Sequence, residues 1–333
     1  MNAILSIDNL SKKYKKNNVR ALEGVSFKCK KGSIISILGQ SGSGKSTLLK
    51  LIAGLENSNS GQIILNGTIL NSQLKFVQPE KRNVDIVFQD FSLFPNMTIK
   101  ENIFFGKKSK DNKSMINDLI RITHIDDILN RYPHEISGGQ AQRVAIVRSL
   151  GNNPSILLMD EPLSQLDNNL KEDIRNELMI IFKKFKITVL IATHDIEDAL
   201  YMSDKTIILK KGKLEQFDKL VNIYKYPKNE YCALLLGNSN IIQKKYIPSI
   251  KHYFHQESTN EEMISLRPEQ FTLNPDSVNN DTFTIECEIK DVINIGFKYI
   301  IKMSHKDVLL TAELKNNFPV KIGDVKQFYI LMD

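Results

Sequence analysis

The amino-acid sequence predicts an α/β core with a doubly wound parallel sheet, followed by a small all-β, barrel-like domain. Up to about residue 215, continuous apolar runs alternate with segments of helical periodicity, which is typical of a parallel sheet covered on both faces. After about Gly237, apolar and polar residues alternate in short runs, as in half-buried antiparallel strands. Because 333 residues are enough for two cores, we predict a first domain over 1–236 and a second over 237–333.

The elements of the first domain are predicted from its apolar runs. Strands are expected at Ile34–Leu38, Val84–Phe88, Ile156–Met159 and Thr188–Ala192. Asn66 and Gly67 after Ile63–Leu65 form a hairpin signal. Apolar residues at helical spacing between Leu170 and Phe185 indicate a crossover helix. Residues of about 92–150 have no strong strand signal and are expected to form an inserted helical subdomain.

In the second domain, Thr282–Lys290 alternates with period two, and further short runs follow at Tyr299–Met303, Val308–Leu310 and Phe328–Leu331. Turns rich in Gly, Asn and Asp separate them. This pattern predicts a small β-barrel or sandwich.

Composition excludes several classes of protein. With 41% hydrophobic and 25% charged residues the chain is typical of a globular protein, and no apolar stretch is long enough to span a membrane. The N-terminus does not resemble a secretory signal, and Cys29, Cys232 and Cys287 lack metal-ligand spacing, so buried cysteines in a reducing compartment are expected. The net charge of +7 comes from scattered lysines, and without Trp no nucleic-acid partner is expected. These lysines include Lys12, Lys13, Lys15, Lys16, Lys107, Lys108 and Lys110.

Residues 39–46 match the phosphate-binding pattern GxxxxGK[ST], between a predicted strand and a helix over Thr47–Ala53 that ends at Gly54. The glycines let backbone N–H groups curl around a triphosphate at the positive end of a helix. Lys45 can then reach the β/γ-phosphates and Ser46 can ligate Mg²⁺. The pattern therefore predicts a P-loop NTPase core that binds a nucleoside triphosphate. The loop consists of Gly39, Gln40, Ser41, Gly42, Ser43, Gly44, Lys45 and Ser46.

Two acids follow the predicted strand Ile156–Met159. Asp160 at the strand end can hold Mg²⁺ directly or through water, and Glu161 can polarise the water that attacks the γ-phosphate. Adjacent acids alone are a weak signal, but together with Lys45 they indicate hydrolysis.

Residues Ile136–Arg143 read Ile-Ser-Gly-Gly-Gln-Ala-Gln-Arg and resemble the signature sequence of the ABC transporter ATPase family. Residues 1 to about 236 resemble that family, with its motifs in their usual order. The resemblance implies an ATP-binding set that comprises Tyr14, the loop residues 39–46, Thr47, Ser137, Gly138, Gly139, Gln140 and Asp167.

The resemblance also assigns individual roles. Tyr14 stacks on adenine, Gln89 contacts Mg²⁺ and the attacking water, and His194 contacts the γ-phosphate. It implies Glu161, His194, Lys45 and Gln89 as the catalytic residues, with Ser46, Gln89 and Asp160 as the Mg²⁺ ligands. Gln40 and Gln165 stand where many members have Pro and Ala, and neither side chain has a chemical role.

In this family, ATP lies between the phosphate loop of one subunit and the signature of another. A chain with one copy of each is therefore expected to form a homodimer. Phe91–Ile103 resembles the surface that receives a coupling helix, so separate permease subunits are expected, with a periplasmic or surface solute-binding protein as an indirect partner. The ATPase would then be peripheral, on the cytoplasmic face of the inner membrane.

Ile264–Phe271 resembles the Arg-Pro-Glu segment in the regulatory β-domain of bacterial importer ATPases, although without the resemblance it would be only a turn beside a strand. With Phe76–Arg82 and Gln89–Thr98, it resembles ferric-iron importers most, which implies iron transport. Sulfate, molybdate, polyamine and sugar remain the alternatives. His252, His255 and Glu257 are a weak metal signal, and a solvated loop is the favoured interpretation.

Three rival functions remain open. One is a soluble ABC-type ATPase acting on nucleic acid or ribosomes, although the chain has no second phosphate loop and no long coiled coil. A binding module on an inactive ATPase conflicts with the intact Lys45, Asp160, Glu161 and His194. An exporter fits the β-domain poorly.

Overall fold

The computed structural model describes residues 3–14, 19–106, 111–247, 250, 252–256, 260–274, 283–315 and 320–331. The chain divides into two compact units, Met1–Val221 and Asn222–Asp333. The sequence prediction put this division at 236, but Arg267 of the second unit bonds the carbonyls of Tyr224 and Ala233, which ties this segment to the second unit. The residues of the sequence predictions that lie outside the described part are Lys15, Lys16, Lys107, Lys108, Lys110, Glu257 and Thr282.

The strands of the first unit are β1 (Ala3–Tyr14), β2 (Val19–Lys30), β3 (Ile34–Leu38), β4 (Ser60–Leu65), β5 (Thr68–Asn71), β6 (Val84–Val87), β7 (Ile156–Asp160), β8 (Val189–Thr193), β9 (Lys205–Lys210) and β10 (Lys213–Asp218). Its helices are α1 (Lys45–Ala53), α2 (Ile99–Phe104), α3 (Lys113–Ile122), α4 (Gly138–Gly151), α5 (Asn168–Phe185) and α6 (Ile196–Met202). Helix α7 (Leu220–Lys225) crosses the boundary between the units.

The first unit has two sheets. A four-stranded antiparallel sheet has the order β2-β1-β4-β5, and its turn at Asn66 and Gly67 has φ of 50° and 76°, both left-handed, as the predicted hairpin requires. A six-stranded sheet has the order β10-β9-β3-β8-β7-β6, in which only β10 is antiparallel to its neighbour. The four strands predicted from apolar runs are β3, β6, β7 and β8, which confirms the parallel core.

The apolar strands are buried because both faces of the larger sheet are covered. In β7, Ile156 and Leu158 face one core cluster, which includes residues of β1, β2 and α1. Leu157 and Met159 face the other, which includes residues of α2, α4 and α5. Side chains alternate between the faces of a strand, so each apolar run serves two cores.

Between residues 92 and 150, the described residues contain α2, α3 and most of α4 but no strand, in agreement with the predicted helical subdomain. Thr98 begins α2 with a capping box, in which its hydroxyl accepts from the Glu101 N–H and the Glu101 carboxylate accepts from the Thr98 N–H.

The second unit consists of helix α8 (Glu230–Leu235) and two antiparallel sheets. Their strands are β11 (Asn240–Gln243), β12 (Phe254–His255), β13 (Glu262–Leu266), β14 (Phe271–Thr272), β15 (Phe283–Asn294), β16 (Tyr299–His305), β17 (Val308–Leu314) and β18 (Val325–Ile330). The sheet orders are β11-β13-β12 and β14-β18-β15-β16-β17. In β15, Ile285, Cys287 and Ile289 are buried while Glu286 and Glu288 are exposed, as period two predicts. This arrangement confirms the predicted all-β region, and the buried face is the core of the unit.

No helix in the described part of the chain is long and apolar enough to cross a membrane.

Candidate functional site

Four of the predicted site segments begin where neighbouring parallel strands end. Leu38 at the end of β3 pairs with Thr193 at the end of β8, and Asp160 at the end of β7 pairs with Ala192. Strand β6 ends at Val87, beside Met159. The carboxyl ends of parallel strands meet at one edge of a sheet, which is where open α/β sheets bind ligands. The phosphate loop, His194, the two acids and the Gln89 turn therefore share this edge.

The phosphate loop depends on glycine at two positions. Gly44 has φ of 107°, and a Cβ there would lie 2.4 Å from the Ala21 carbonyl oxygen. A Cβ on Gly39 would lie 2.4 Å from the Leu209 oxygen and 2.5 Å from Ser43 Oγ. Only glycine fits at these two positions, so glycine lets the loop backbone pass close to Ala21 and Leu209.

Lys45 is the first residue of α1, and its ammonium group folds back onto the loop. Its Nζ donates to the carbonyl oxygens of Gly39 at 2.7 Å and Gln40 at 3.3 Å. Burial lowers the pKa of Lys45, while the charges of Glu161 and Asp160 raise it. A buried cation held by two carbonyls is well placed to exchange them for phosphate oxygens.

Ser46 and Asp160 are brought together from α1 and β7. Ser46 Oγ donates to Asp160 Oδ1 at 3.0 Å. Burial is the main cause that raises the pKa of Asp160, and the neighbouring Glu161 charge adds to it. A hydroxyl and a carboxylate in contact are hard oxygen donors of the kind that Mg²⁺ selects.

Glu161 and His194 form the second pair. His194 Nδ1 lies 3.3 Å from Glu161 Oε2. Glu161 has φ of 49°, a left-handed conformation that costs a residue with a side chain about 1–2 kcal/mol, and its N–H donates to the Ala192 oxygen at 2.8 Å. Strain of this kind is concentrated at functional sites, and here it directs the carboxylate towards the imidazole.

A buried polar network lies behind His194, and the sequence analysis did not identify it. Asp198 accepts two hydrogen bonds from Arg175, at 2.8 and 3.2 Å, and the Thr193 hydroxyl donates to it at 3.4 Å. Lys171 lies 3.4 Å from Asp195, the residue that caps α6. Burial is the main cause that raises the pKa of Asp198. The network fixes the start of α6, and thereby His194, to helix α5. In the sequence, the network is indicated only by two basic residues four positions apart, Lys171 and Arg175, and by two acids, Asp195 and Asp198.

The signature residues form the N-terminus of α4. Ser137 accepts from the Gln140 N–H at 3.3 Å, while the Ser137 N–H donates to Gln140 Oε1 at 3.0 Å, which completes a capping box. A Cβ on Gly138 would meet open space, whereas on Gly139 it would lie 2.7 Å from the side chain of Leu170. Within the described residues, no hydrogen bond joins 137–140 to the phosphate loop of the same chain.

Asp167 and Tyr14 also lie where local bonds hold them. Asp167 caps α5, since its Oδ1 accepts from the Leu170 N–H at 3.0 Å. The Tyr14 hydroxyl donates to Glu56 at 2.6 Å, and burial together with this bond raises the pKa of Tyr14.

Gln89 lies in the turn after β6. Its side chain is exposed and makes no hydrogen bond to any residue that the structure describes. Gln89 therefore lies at the same sheet edge as the other predicted site residues.

The two histidines suggested as weak metal ligands are not clustered. His252 Nε2 lies 3.1 Å from the Pro227 oxygen, and His255 Nδ1 lies 3.2 Å from the Asn260 oxygen. No group of three or more metal-ligating side chains occurs among the described residues. Glu257, the third of the suggested ligands, lies outside them.

Comparison with known proteins places this site in a family. The model of the ABC transporter family matches residues 22–164. The chain is 32% identical over 341 residues to the spermidine/putrescine import ATP-binding protein PotA of Nitrosospira multiformis, covering 95% of this chain and 92% of that protein. It is 34% identical to the sulfate/thiosulfate import ATP-binding protein CysA of a Synechocystis species, over 87% of this chain and 81% of that protein.

Among solved structures, a dimeric ATP-binding cassette in a post-hydrolysis state, with ADP and phosphate bound, aligns with a TM-score of 0.55. It is 33% identical and covers 65% of this chain and 98% of its own. Nearly the whole chain aligns with importer subunits at 32–34% identity, and its nucleotide-binding motifs share one sheet edge. The chain therefore belongs to the ATP-binding subunits of bacterial ABC importers, which bind ATP and hydrolyse it to power transport.

Proposed function

We propose that this chain hydrolyses Mg²⁺-bound ATP with the residues at the carboxyl edge of its parallel sheet and drives solute import through separate permease subunits. The observation that carries the proposal is the convergence of Lys45, the Ser46–Asp160 pair and the Glu161–His194 pair on that edge. These groups come from the ends of three different strands, β3, β7 and β8, so the arrangement is not a local accident of sequence.

Triphosphate binding follows from the loop geometry. The N–H groups of Gly42–Thr47 surround the β/γ-phosphates, and Lys45 moves its ammonium from carbonyl to phosphate oxygens. Ser46, Asp160 and Gln89 are the proposed Mg²⁺ ligands, and the Ser46–Asp160 contact at 3.0 Å supports the fit. The bound ion supplies charge neutralisation for the triphosphate.

Hydrolysis is assigned to Glu161 with His194. The Glu161 carboxylate accepts a hydrogen bond from the attacking water and polarises it, while the imidazole at 3.3 Å fixes the carboxylate and reaches towards the γ-phosphate. Most of the rate enhancement then comes from positioning and charge stabilisation. Unlike a general base in a dry pocket, His194 is 62% exposed, so a second surface must cover it during turnover.

We assign that second surface to another copy of the chain. Ser137, Gly138 and Gly139 present a hydroxyl and a helix N-terminus that make no bond to their own phosphate loop, which supports binding across a dimer interface. The solved relative described above is a dimer with nucleotide bound. Asp167, at the start of α5, would line the same interface.

The hydrolysis assignment is tested with Glu161→Gln and His194→Ala. We expect each variant to lower kcat at least a hundredfold. Glu161→Gln is expected to retain ATP and to elute as a stable dimer in size-exclusion chromatography with ATP and Mg²⁺. The matched control is Glu197→Gln, an exposed acid on α6. Normal hydrolysis by Glu161→Gln would refute the assignment, and a monomer with ATP bound would refute the composite site.

The permease is proposed to dock on the segment after Gln89. Phe94 is 39% and Phe105 is 56% exposed, and their rings lie in contact with centroids 4.5 Å apart and planes inclined at 50°. An exposed aromatic pair is suited to contact with a helix from a partner. This contact would hold the ATPase at the cytoplasmic face of the inner membrane, with a solute-binding protein acting only through the permease.

For the solute we propose a polyamine, with sulfate as the alternative. The relatives described above are named for spermidine/putrescine and for sulfate/thiosulfate, and the longer of the two alignments is with the polyamine protein. The ferric-iron prediction has no support from these relatives. Uptake of labelled spermidine, sulfate and ferric iron in a deletion strain, complemented with wild type or Glu161→Gln, distinguishes the three. Loss of spermidine uptake that only wild type restores is the expected result. Loss of another solute alone refutes the polyamine assignment, and no change in any uptake refutes the importer role and makes nucleic-acid binding the next test.

A further inference from the structure

The turn that follows Gln89 has an unusual backbone. Phe91 and Ser92 have φ of 58° and 46°, so two consecutive residues with side chains are left-handed. L-residues visit this region singly and persist there only when their surroundings impose it. Local bonds contribute, since the Ser92 N–H donates to the Asp90 carbonyl at 2.7 Å and its hydroxyl donates to the Asp90 carboxylate at 2.7 Å.

The carbonyl oxygens of this strained pair are bonded by a single side chain. Arg148 on α4 donates from Nη1 to the Ser92 oxygen at 2.8 Å and from Nη2 to the Phe91 oxygen at 3.2 Å. Its guanidinium lies 5.5 Å from the centre of the Phe94 ring. Because the guanidinium fork is planar and rigid, two such bonds define the orientation of both peptide units.

Arg148 belongs to the helix that begins with the signature. Helix α4 runs from Gly138 to Gly151, so Ser137 at its start and Arg148 near its end are parts of one rigid element. The following part of the segment is held by the buried Asn102, whose Nδ2 donates to the oxygens of Phe94, Met97 and Thr98, each at 3.1 Å. The chain after Gln89 is therefore fastened to the helical subdomain, and Gln89 lies at its junction with β6.

We propose that Arg148 is a positioning residue for hydrolysis: its fork holds the Phe91–Ser92 turn, and through the turn Gln89, against the signature helix. The inference rests on the proposed function because it takes Gln89 as a residue that contacts Mg²⁺ and the attacking water.

The first test measures the turn itself, by hydrogen–deuterium exchange of the full-length chain. Arg148→Gln is expected to raise exchange about tenfold in peptides that cover 88–93. The matched control is Arg143→Gln on the same helix, whose guanidinium bonds Glu177 of α5 at 2.7 and 2.8 Å instead of the turn. The control is expected to raise exchange in α4 and α5 but not in 88–93. Unchanged exchange at 88–93 in both Arg148→Gln and Arg148→Lys overturns the proposal.

The second test measures the consequence with a double-mutant cycle on kcat of ATP hydrolysis. Arg148→Gln alone is expected to lower kcat about tenfold with little change in KM, as misplacement of a catalytic group does. In a Gln89→Ala background it is expected to change kcat by less than about twofold, because the positioned group is already absent. Arg143→Gln is expected to act additively with Gln89→Ala.

The two tests separate the possible failures. If Arg148→Gln raises exchange at 88–93 but its effect on kcat adds to that of Gln89→Ala, Arg148 holds the turn but does not position Gln89 for hydrolysis. If Gln89→Ala alone leaves kcat unchanged, the proposed role of Gln89 fails and the catalytic part of this inference fails with it, whereas the exchange result still decides whether Arg148 holds the turn.

Discussion

Removal of the buried Arg82 is expected to destabilise the first unit strongly. Its side chain is 1% exposed and lies against the C-terminal end of α1, the phosphate-loop helix. Nη1 donates to the oxygens of Leu51 at 2.7 Å and Ile52 at 3.0 Å, and Nε donates to Val77 at 2.7 Å. Gly54 is left-handed there, and a Cβ on it would lie 2.3 Å from Arg82 Nε, so the helix end and the arginine fit each other without spare room.

The magnitude follows from two opposing contributions. A hydrogen bond from a charged donor stabilises by about 1.5–3 kcal/mol, so the three short bonds contribute about 4.5–9 kcal/mol. Burial lowers the Arg82 pKa from 12.5 to about 10. At about 1.4 kcal/mol per pKa unit, this burial of the charge offsets about 3.5 kcal/mol of that stabilisation. Arg82→Met keeps the side-chain length but removes all donors, so we expect a loss of about 3 kcal/mol, or roughly 6–12 °C in Tm for a unit of this size.

The assay is calorimetry of the full-length chain, in which the transition that ATP raises is assigned to the first unit. The matched control is Arg267→Met, which removes another buried arginine, 4% exposed and bonded to carbonyls of Tyr224 and Ala233 in the second unit. Arg82→Met is expected to lower the ATP-sensitive transition and Arg267→Met the other. A shift below about 1 °C for Arg82→Met would show that its bonds do no more than balance the burial of its charge.

Three further outcomes are expected. Gly44→Ala should weaken ATP binding at least about a hundredfold in calorimetric titration, because its methyl group would meet the Ala21 oxygen at 2.4 Å. The control is Gly67→Ala, at a left-handed glycine with open space around it. This control should cost only about 1 kcal/mol of stability and leave the affinity for ATP intact. Ser46→Ala should raise the Mg²⁺ concentration for half-maximal hydrolysis about tenfold, and an unchanged requirement would contradict its role as a ligand. Burial raises the pKa of Cys287 to about 12, above its unfolded value, so the stability from its neutral thiol is complete below about pH 8 and is lost as the pH rises towards 12. Urea unfolding at about pH 8 and about pH 10.5 should therefore show a smaller loss of stability for Cys287→Ala than for wild type.

Much of the fold could be predicted because its buried strands are continuous apolar runs. The predicted strand Ile34–Leu38 matches β3 residue for residue, and the helix behind the phosphate loop ends before Gly54, as expected. The predicted runs at 156–159 and 188–192 became adjacent parallel strands. A parallel strand that is buried on both faces is apolar at nearly every position, so it is recognisable in the sequence as a continuous apolar run.

Other features could not be predicted from local pattern. Strands β1 and β2 were missed because bulges interrupt their alternation, and Asn9 within β1 is left-handed with φ of 45°. The segments that contain Arg82 and Arg267 were recognised only by their resemblance to importer ATPases, and the burial of these arginines was not predicted. Both are buried against carbonyl groups of residues that are distant in the sequence. A buried arginine has no local signature, because the groups that satisfy it come from tertiary structure.

The order of the central sheet has a consequence for the synthesis of the protein. Strand β8 lies between β3 and β7, although both precede it in the chain. A nascent chain that ends before residue 189 can form the phosphate loop and the strand that carries Asp160, but these strands have no common neighbour to hold them at the observed spacing. Hydrolysis thus depends on the insertion of β8 late in synthesis. A chain that is released before β8 is made is expected to bind nucleotide poorly and not to hydrolyse it.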